Sequence, residues 1–222
     1  MTLSLFDAST DTRRGEDLVA EEPLAPGAVV LRGLARASAA SLLSAIEGIV
    51  ARSPFRHMTT PGGLRMSAAM TSVGAHGWVS DARGYRYAAA DPEHGLPWPP
   101  MPPGFLALAT DAAARAGFAR FVPDSCLVNR YEPGARLTLH QDRDERDLDA
   151  PIVSVSLGLP AVFLFGGITR RERPGRVRLW HGDVVVWGGP SRLRYHGVMP
   201  LEAGEHPATG PFRINLTLRK AR

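Results

Sequence analysis

The amino-acid sequence predicts a mostly β protein with flanking helices, its strands folded as two packed antiparallel sheets in a jelly roll or related barrel. Three observations carry this reading. From Phe121 to Leu218 the chain offers about eight short alternating or apolar segments with no helical period between them, as packed antiparallel sheets require. Both stretches with helical spacing come earlier. Glycine and proline, 23 and 19 in 222 residues, are abundant enough for many tight turns but too few for a disordered chain.

Residues 1–22, rich in charge and small polar groups from Asp7 to Glu22, read as a flexible N-terminal arm. Gly27 to Arg32 reads as a strand. Leu42, Leu43, Ile46, Ile49 and Val50 recur at helical spacing behind Ser38 or Ser41 as N-cap candidates, which predicts an amphipathic helix over 38–52. A second helix is expected from Pro103 through Phe105, Leu108 and Ala112 to Gly117, with proline in its first turn and glycine at its end. Between the helices, residues 54–102 mix Met66, Met70, Trp78, Tyr85, Tyr87 and Trp98 with Arg56, Arg65, Arg83 and Arg86. So long a segment in a compact domain reads as a lid or binding loop. Aromatics among arginines suit the stacking of an unpaired base beside its phosphates, although the methionines and Trp98 also fit a small satellite core.

The β region, about 121–219, begins with Cys126 to Tyr131 and continues after the Glu132-Pro133-Gly134 turn with Leu137 to His140; these two are expected to pair as a hairpin. Ile152–Leu157, Ala161–Phe165, Arg176–Trp180, Asp183–Trp187, Leu193–Val198 and Phe212–Leu218 follow, with an arginine-rich turn at Arg170 to Gly175. In the last strand Phe212, Ile214, Leu216 and Leu218 alternate with Arg213, Asn215, Thr217 and Arg219, giving one apolar and one wholly polar face.

Net charge is +4, and Lys220 is the sole lysine; this mild positive balance permits a polyanionic partner without requiring one. Cys126 stands alone, which excludes an intrachain disulfide and predicts an intracellular protein, with the cytoplasm as its compartment. No apolar run reaches bilayer length, and residues 1–20 lack a signal peptide's basic start and apolar centre.

The stretch Leu137-Thr138-Leu139-His140-Gln141-Asp142-Arg143-Asp144-Glu145 is the chemical centre of the chain. Residues two apart on a strand share a side, so His140 and Asp142 converge on one point. With a distant histidine they form the two-histidine, one-carboxylate facial set of non-haem Fe(II) oxygenases. Of the remaining histidines, His57, His76 and His94 lie in the loop-rich segment and His206 in a Gly/Pro-rich connection. His181-Gly182-Asp183 is a competing pair but reads better as a turn feeding Val184 to Trp187. His196, on a strand one hairpin beyond, is the better third ligand. Two arginines on the face of Arg213 and Arg219 suit a dicarboxylate, with Asn129 and Tyr131 offering an amide and a phenol.

The set His140-x-Asp142, His196 and Arg213-x-Asn215-x-x-x-Arg219, with Asn129-x-Tyr131 upstream, resembles the AlkB family of Fe(II)- and 2-oxoglutarate-dependent nucleic-acid dealkylases. The likeness runs from about Pro23 to Arg219 and includes Ser53-Pro54-Phe55-Arg56, Thr60-Pro61-Gly62-Gly63, Pro151 to Pro160 and His181 to Gly189; the N-terminal arm and the turn near 170–176 diverge. The resemblance implies a double-stranded β-helix (jelly roll) core carrying a nucleotide-recognition lid, within one dioxygenase domain over 23–222. It implies iron held by His140, Asp142 and His196. Arg213, helped by Tyr131 and Asn215, would take the distal carboxylate of 2-oxoglutarate, and Asn129 and Arg219 would serve the end nearer the metal. Trp78 and His140 would sandwich the damaged base, Asp144 would meet its exocyclic amino group, Tyr85 would hold phosphate, and Met66 and Met70 would match lid positions.

The implied function is DNA repair by oxidative demethylation of 1-methyladenine- and 3-methylcytosine-type bases, with O2 as oxidant and formaldehyde and succinate released. The expected partner is alkylated single-stranded DNA, with double-stranded DNA and RNA as further candidates, and the expected state is a monomer with no membrane association. Two other readings stay open: the same chemistry on a protein or small molecule, and a nucleic-acid-binding barrel without turnover.

Overall fold

The computed structural model describes residues 19–222. The expected arm lies outside these residues except at its end, where the structure differs from the sequence reading: Glu21 and Glu22 already belong to strand β1, Glu21–Ala25. Pairing supplies what the charged sequence hides, because β1 lies antiparallel on β2, Ala28–Leu31, with Glu21 opposite Leu31.

Helix α1, Ala39–Arg52, buries Leu42, Ile46 and Ile49, one face of a 3.6-residue repeat. Ser38 sits at its cap position but turns its hydroxyl back to the Ala35 carbonyl, so the expected side-chain cap is absent. Helix α2, Pro103–Arg115, starts on proline as predicted, and the chain leaves it through Gly117 at φ +90°, a conformation open to glycine.

The remaining strands are β3 (Ala69–Gly74), β4 (Gly77–Asp81), β5 (Gly84–Ala88), β6 (Ser125–Tyr131), β7 (Leu137–His140), β8 (Ile152–Gly158), β9 (Ala161–Phe165), β10 (Gly175–Leu179), β11 (Val184–Trp187), β12 (His196–Val198) and β13 (Arg213–Arg219). They form a seven-stranded sheet ordered β1-β2-β11-β8-β13-β6-β3, a four-stranded sheet ordered β10-β9-β12-β7, and the separate hairpin β4-β5. One core lies where α1 and α2 cover the large sheet, joining Leu42, Ile46, Phe105 and Ala109 to Val153, Val155, Val184, Leu216 and Leu218. Another brings Val30, Ile152, Val185 and Trp187 of the large sheet together with Phe163, Phe165 and Val198 of the small one. Among the described residues, no helix is long and apolar enough to cross a membrane.

Three expectations change. The predicted β6–β7 hairpin does not form: the turn through Gly134 carries the chain from the large sheet to the small one, where β7 pairs with β12. The strand predicted over Leu193–Val198 shrinks to His196–Val198, because a 3₁₀ turn at Gly189–Ser191 and tight turns after it occupy the approach. Residues 54–102 are more regular than a lid of loops. There β3 extends the large sheet beside β6, and both its faces are buried over Ala69 to Val73, which removes the alternation a sequence pattern needs.

The rest of that segment folds over the sheet edge. Trp98, buried as the satellite-core reading expects, donates Nε1–H to the Ala88 carbonyl and fills the space a side chain at Gly77 would need. The buried Asp91 accepts from Arg56 at 2.7 Å, from the Glu93 backbone and from His94. Its carboxyl falls to about 2 because these bonds outweigh the opposing effect of burial.

Candidate active site

Register places the chemistry. On the small sheet β7 and β12 run antiparallel with His140 opposite His196, and Asp142 follows two residues beyond His140. The imidazole rings stand 4.4 Å apart. His140 Nε2 lies 3.4 Å from Asp142 Oδ1 and His196 Nε2 lies 3.7 Å from Asp142 Oδ2. One donor atom from each of the three falls within 4.8 Å of the others. Each histidine is also held from behind: Nδ1 of His140 donates to the Thr138 carbonyl at 2.9 Å and Nδ1 of His196 to the Arg194 carbonyl at 3.0 Å. Both Nε2 atoms therefore face the shared point, where a metal would displace the proton that His140 shares with Asp142.

The electrostatics agree with a ligand set. Burial works against the Asp142 anion, but Arg219, His140 and His196 together hold its carboxyl well below the usual range. Burial, aided by the charge of His140, brings His196 down to about 4, which keeps it neutral. For His140 burial works downward, yet the bond to Asp142 wins and raises it. An ionised carboxylate flanked by imidazoles, open on one side to a cavity of about 620 Å³, is the donor set a non-haem iron takes.

The polar face of β13 does not meet water. Arg213, Asn215, Thr217 and Arg219 are all buried and line that same cavity. Across β6, Tyr131 stands opposite Arg213 and Asn129 opposite Asn215. The Arg213 guanidinium lies over the Tyr131 ring at 5.1 Å, and one terminal nitrogen donates to Ser156 Oγ at 3.0 Å. Its Nε and Nη1 have no protein partner. Burial lowers the Arg213 pKa although the Tyr131 phenol pulls the other way, and a buried cation with two free donors suits a carboxylate. The Asn215 amide nitrogen donates to Ser154 Oγ and the Val155 carbonyl, and its oxygen accepts from Thr217. Asn129 reaches that oxygen at 3.4 Å.

Arg219 grips Asp142 Oδ2 through two donors, at 2.9 and 2.7 Å, and lies 3.4 Å from Glu145. Two further residues belong to this site: Glu145, at the end of the acidic stretch but without an assigned role, and Arg192, which no sequence pattern marks. Both are buried and pair at 3.0 Å, while Tyr87 donates to the other Glu145 oxygen at 2.6 Å. Arg192 also donates to the carbonyls of Asp142, at 2.7 Å, and Ala150. It therefore fixes the backbone that aims the Asp142 carboxylate. Only the register of β7 against β12 brings this turn arginine to the acidic loop, and no local motif marks it. Replacing Arg192 with Met is expected to cost about 1–3 kcal/mol of stability, because one Glu145 oxygen loses its partner and Tyr87 and Arg219 serve only the other. It should also weaken metal binding about 10–100-fold, measured by metal titration with unfolding as control.

The expected substrate residues line the same cavity: Met66, Met70, Trp78, Tyr85 and Asp144. Trp78 stacks on Tyr85 at 5.6 Å and donates Nε1–H to Asp144 at 2.9 Å. Met70, with Met66 and Trp78 beside it, packs on Met58 and Leu127, so the methionines serve a small core as well as the cavity wall. The competing pair is structural. Asp183 accepts from Arg32 and from the Gly33 and Trp180 backbones, and His181 Nδ1 accepts from Gly158.

Comparison with known proteins agrees. The family model of the 2OG-Fe(II) oxygenase superfamily matches residues 27–219. The chain is 60% identical over 201 residues to the alpha-ketoglutarate-dependent dioxygenase AlkB of Salmonella typhimurium, covering 90% of this chain and 93% of that one. It is 34% identical to the nucleic acid dioxygenase ALKBH1 of Mus musculus over 54% of this chain and 31% of that one. The solved structure of OsALKBH1 superposes with a TM-score of 0.80 at 30% identity, covering 90% of this chain and all of the other.

Proposed function

Because the chain belongs to the AlkB dioxygenases of the 2OG-Fe(II) oxygenase superfamily, we propose that it repairs N-alkylated bases, of the 1-methyladenine and 3-methylcytosine type, in single-stranded DNA. It is an Fe(II)- and 2-oxoglutarate-dependent dioxygenase that uses O2. In this reading it works in the cytoplasm as a monomer, and double-stranded DNA and RNA are secondary substrates. The observation that carries the reading is one cavity with three lining zones: a buried arginine, a histidine–carboxylate–histidine cluster, and an aromatic pair beside a carboxylate.

His140, Asp142 and His196 would hold the iron. Arg213 would clamp the far carboxylate of 2-oxoglutarate through its two free donors, with Tyr131 against its face and Asn215 acting through the hydrogen bonds that shape the floor. Asn129 and Arg219 would bound the end near the metal. Bound iron supplies oxidative decarboxylation of 2-oxoglutarate coupled to hydroxylation of the N-methyl group; the hemiaminal on the base then breaks down to formaldehyde and the repaired base.

The chain's task is to position the base. Trp78 and His140 would enclose the ring, and a cationic methylated base gains from both an aromatic face and the nearby carboxylate of Asp144. Tyr85 is half exposed at the mouth, where its hydroxyl could meet phosphate. An alkylated base leaves the stack readily, since its pairing is already broken.

The protein with iron, 2-oxoglutarate and a strand containing 1-methyladenine is expected to release formaldehyde and succinate in equal amounts, and an unmethylated strand should give no formaldehyde. Chelation should stop both products and added Fe(II) should restore them. Faster succinate release with peptides or small molecules would move the substrate to another class, and strand binding without an iron requirement would favour a non-catalytic barrel.

A further inference from the structure

The turn joining β9 to β10 carries Arg170, Arg171 and Arg173, and β10 continues with Arg176 and Arg178, all exposed. Its one acid, Glu172, is used inside the turn, where it accepts from the backbone and the hydroxyl of Thr169, both at 2.9 Å. The Glu172 carboxyl occupies the space a side chain at Gly167 would take, so the turn is shaped around it. Arg178 pairs with Glu202 and lies over Trp180, and Arg170 lies over Tyr195. Arg171, Arg173 and Arg176 make no ion pair among the described residues, whereas Arg32, Arg56, Arg86, Arg192 and Arg219 all do.

The turn is also well placed. His140, His196, Phe165 and Gly175 stand in one row across the small sheet. With neighbouring strands about 4.8 Å apart, the root of the turn lies roughly 10 Å from His196 and roughly 15 Å from His140. Gln141, in the cavity wall, donates to the carbonyls of Ile168 and Leu193, which ties the turn to the mouth. Arg65, Arg136 and Arg143 line that cavity too, and none of them is ion-paired among the described residues.

We propose that this arginine turn is a docking surface for the phosphodiester backbone of the polynucleotide that extends beyond the base held in the cavity. The inference rests on the dealkylase reading above. A row of unneutralised guanidinium groups a few residues' reach from a nucleotide pocket matches a polymer with charges at regular short intervals. A small anion would instead need an enclosed cradle, and these side chains are exposed. Charge on β10, an edge strand, also discourages sheet-to-sheet association; that role alone would leave nucleic-acid binding untouched.

The test is the combined variant Arg171→Gln, Arg173→Gln, Arg176→Gln against three probes sharing one 1-methyladenine: a trinucleotide, a single strand of about twenty nucleotides, and its duplex. Turnover of the trinucleotide should be unchanged. On the longer probes KM should rise by about an order of magnitude at moderate salt, and the salt slope of binding should flatten by about 2. Loss on both probes assigns the contact to the damaged strand, and loss on the duplex alone assigns it to the complement. Unaltered KM and salt slope on both, with normal trinucleotide turnover, would overturn the docking surface alone. Failure of the unaltered protein to demethylate the trinucleotide would overturn the dealkylase reading and this inference with it.

Discussion

Asp142→Ala is expected to lower formaldehyde release from methylated single-stranded DNA by more than about 10³-fold, and His196→Ala should do the same. The two substitutions reach one outcome by different physical routes. Removing the Asp142 carboxylate deletes the anionic ligand and also strands the Arg219 guanidinium, which keeps only Glu145, at 3.4 Å. Removing His196 leaves Asp142 and Arg219 paired but opens a space beside Trp187 and Phe163, against which the imidazole packs. The aspartate variant should therefore lose about 1–3 kcal/mol of stability through an uncompensated buried charge, and the histidine variant a similar amount through a cavity. Metal titration followed alongside unfolding separates loss of the ligand from loss of the fold. Full activity in either variant would refute the assignment of the iron ligands.

Much of this site is legible in the sequence, for a reason visible in β13. Its strict alternation puts Arg213, Asn215, Thr217 and Arg219 on one side whatever the strand's neighbours are. The spacing of His140 and Asp142 suggested their convergence, although β7 ends at His140 and it is Arg219 and Arg192 that hold Asp142 in place. The helices were equally plain, since their apolar spacing is local. What stayed hidden depends on contacts between distant segments. A turn with good hairpin chemistry at Glu132 to Gly134 instead passes the chain between sheets, because β7 finds its partner in β12 and not in β6. β3 could not be read from its composition, because both of its faces are covered. Arg192 reaches Asp142 across 50 residues of sequence, and the family resemblance was what supplied roles such as those of Trp78 and Asp144, which the residues alone left open.

Arg213→Met should weaken 2-oxoglutarate binding while making the protein without cosubstrate more stable, two effects of opposite sign from one residue. Arg213 is almost wholly buried, 1% exposed, with Nε and Nη1 lacking protein partners. Buried donors without acceptors each cost about 1–3 kcal/mol. A methionine of similar reach removes that cost and keeps contact with the Tyr131 ring, while giving up the bond to Ser156 and the polar interaction with the Tyr131 phenol. A gain of about 1 kcal/mol is the expected net. Binding moves the other way: losing a desolvated guanidinium–carboxylate pair costs about 2–5 kcal/mol, or roughly 30- to 5,000-fold in affinity. Thermal unfolding reads both effects together. Added 2-oxoglutarate raises the midpoint of the parent protein because it binds the folded state alone, and that rise should vanish in the variant. Arg213→Lys, which keeps a charge but not the planar fork, should fall between the two. A variant that still gains its full midpoint shift from 2-oxoglutarate would remove Arg213 from the cosubstrate site and place the dicarboxylate elsewhere in the cavity.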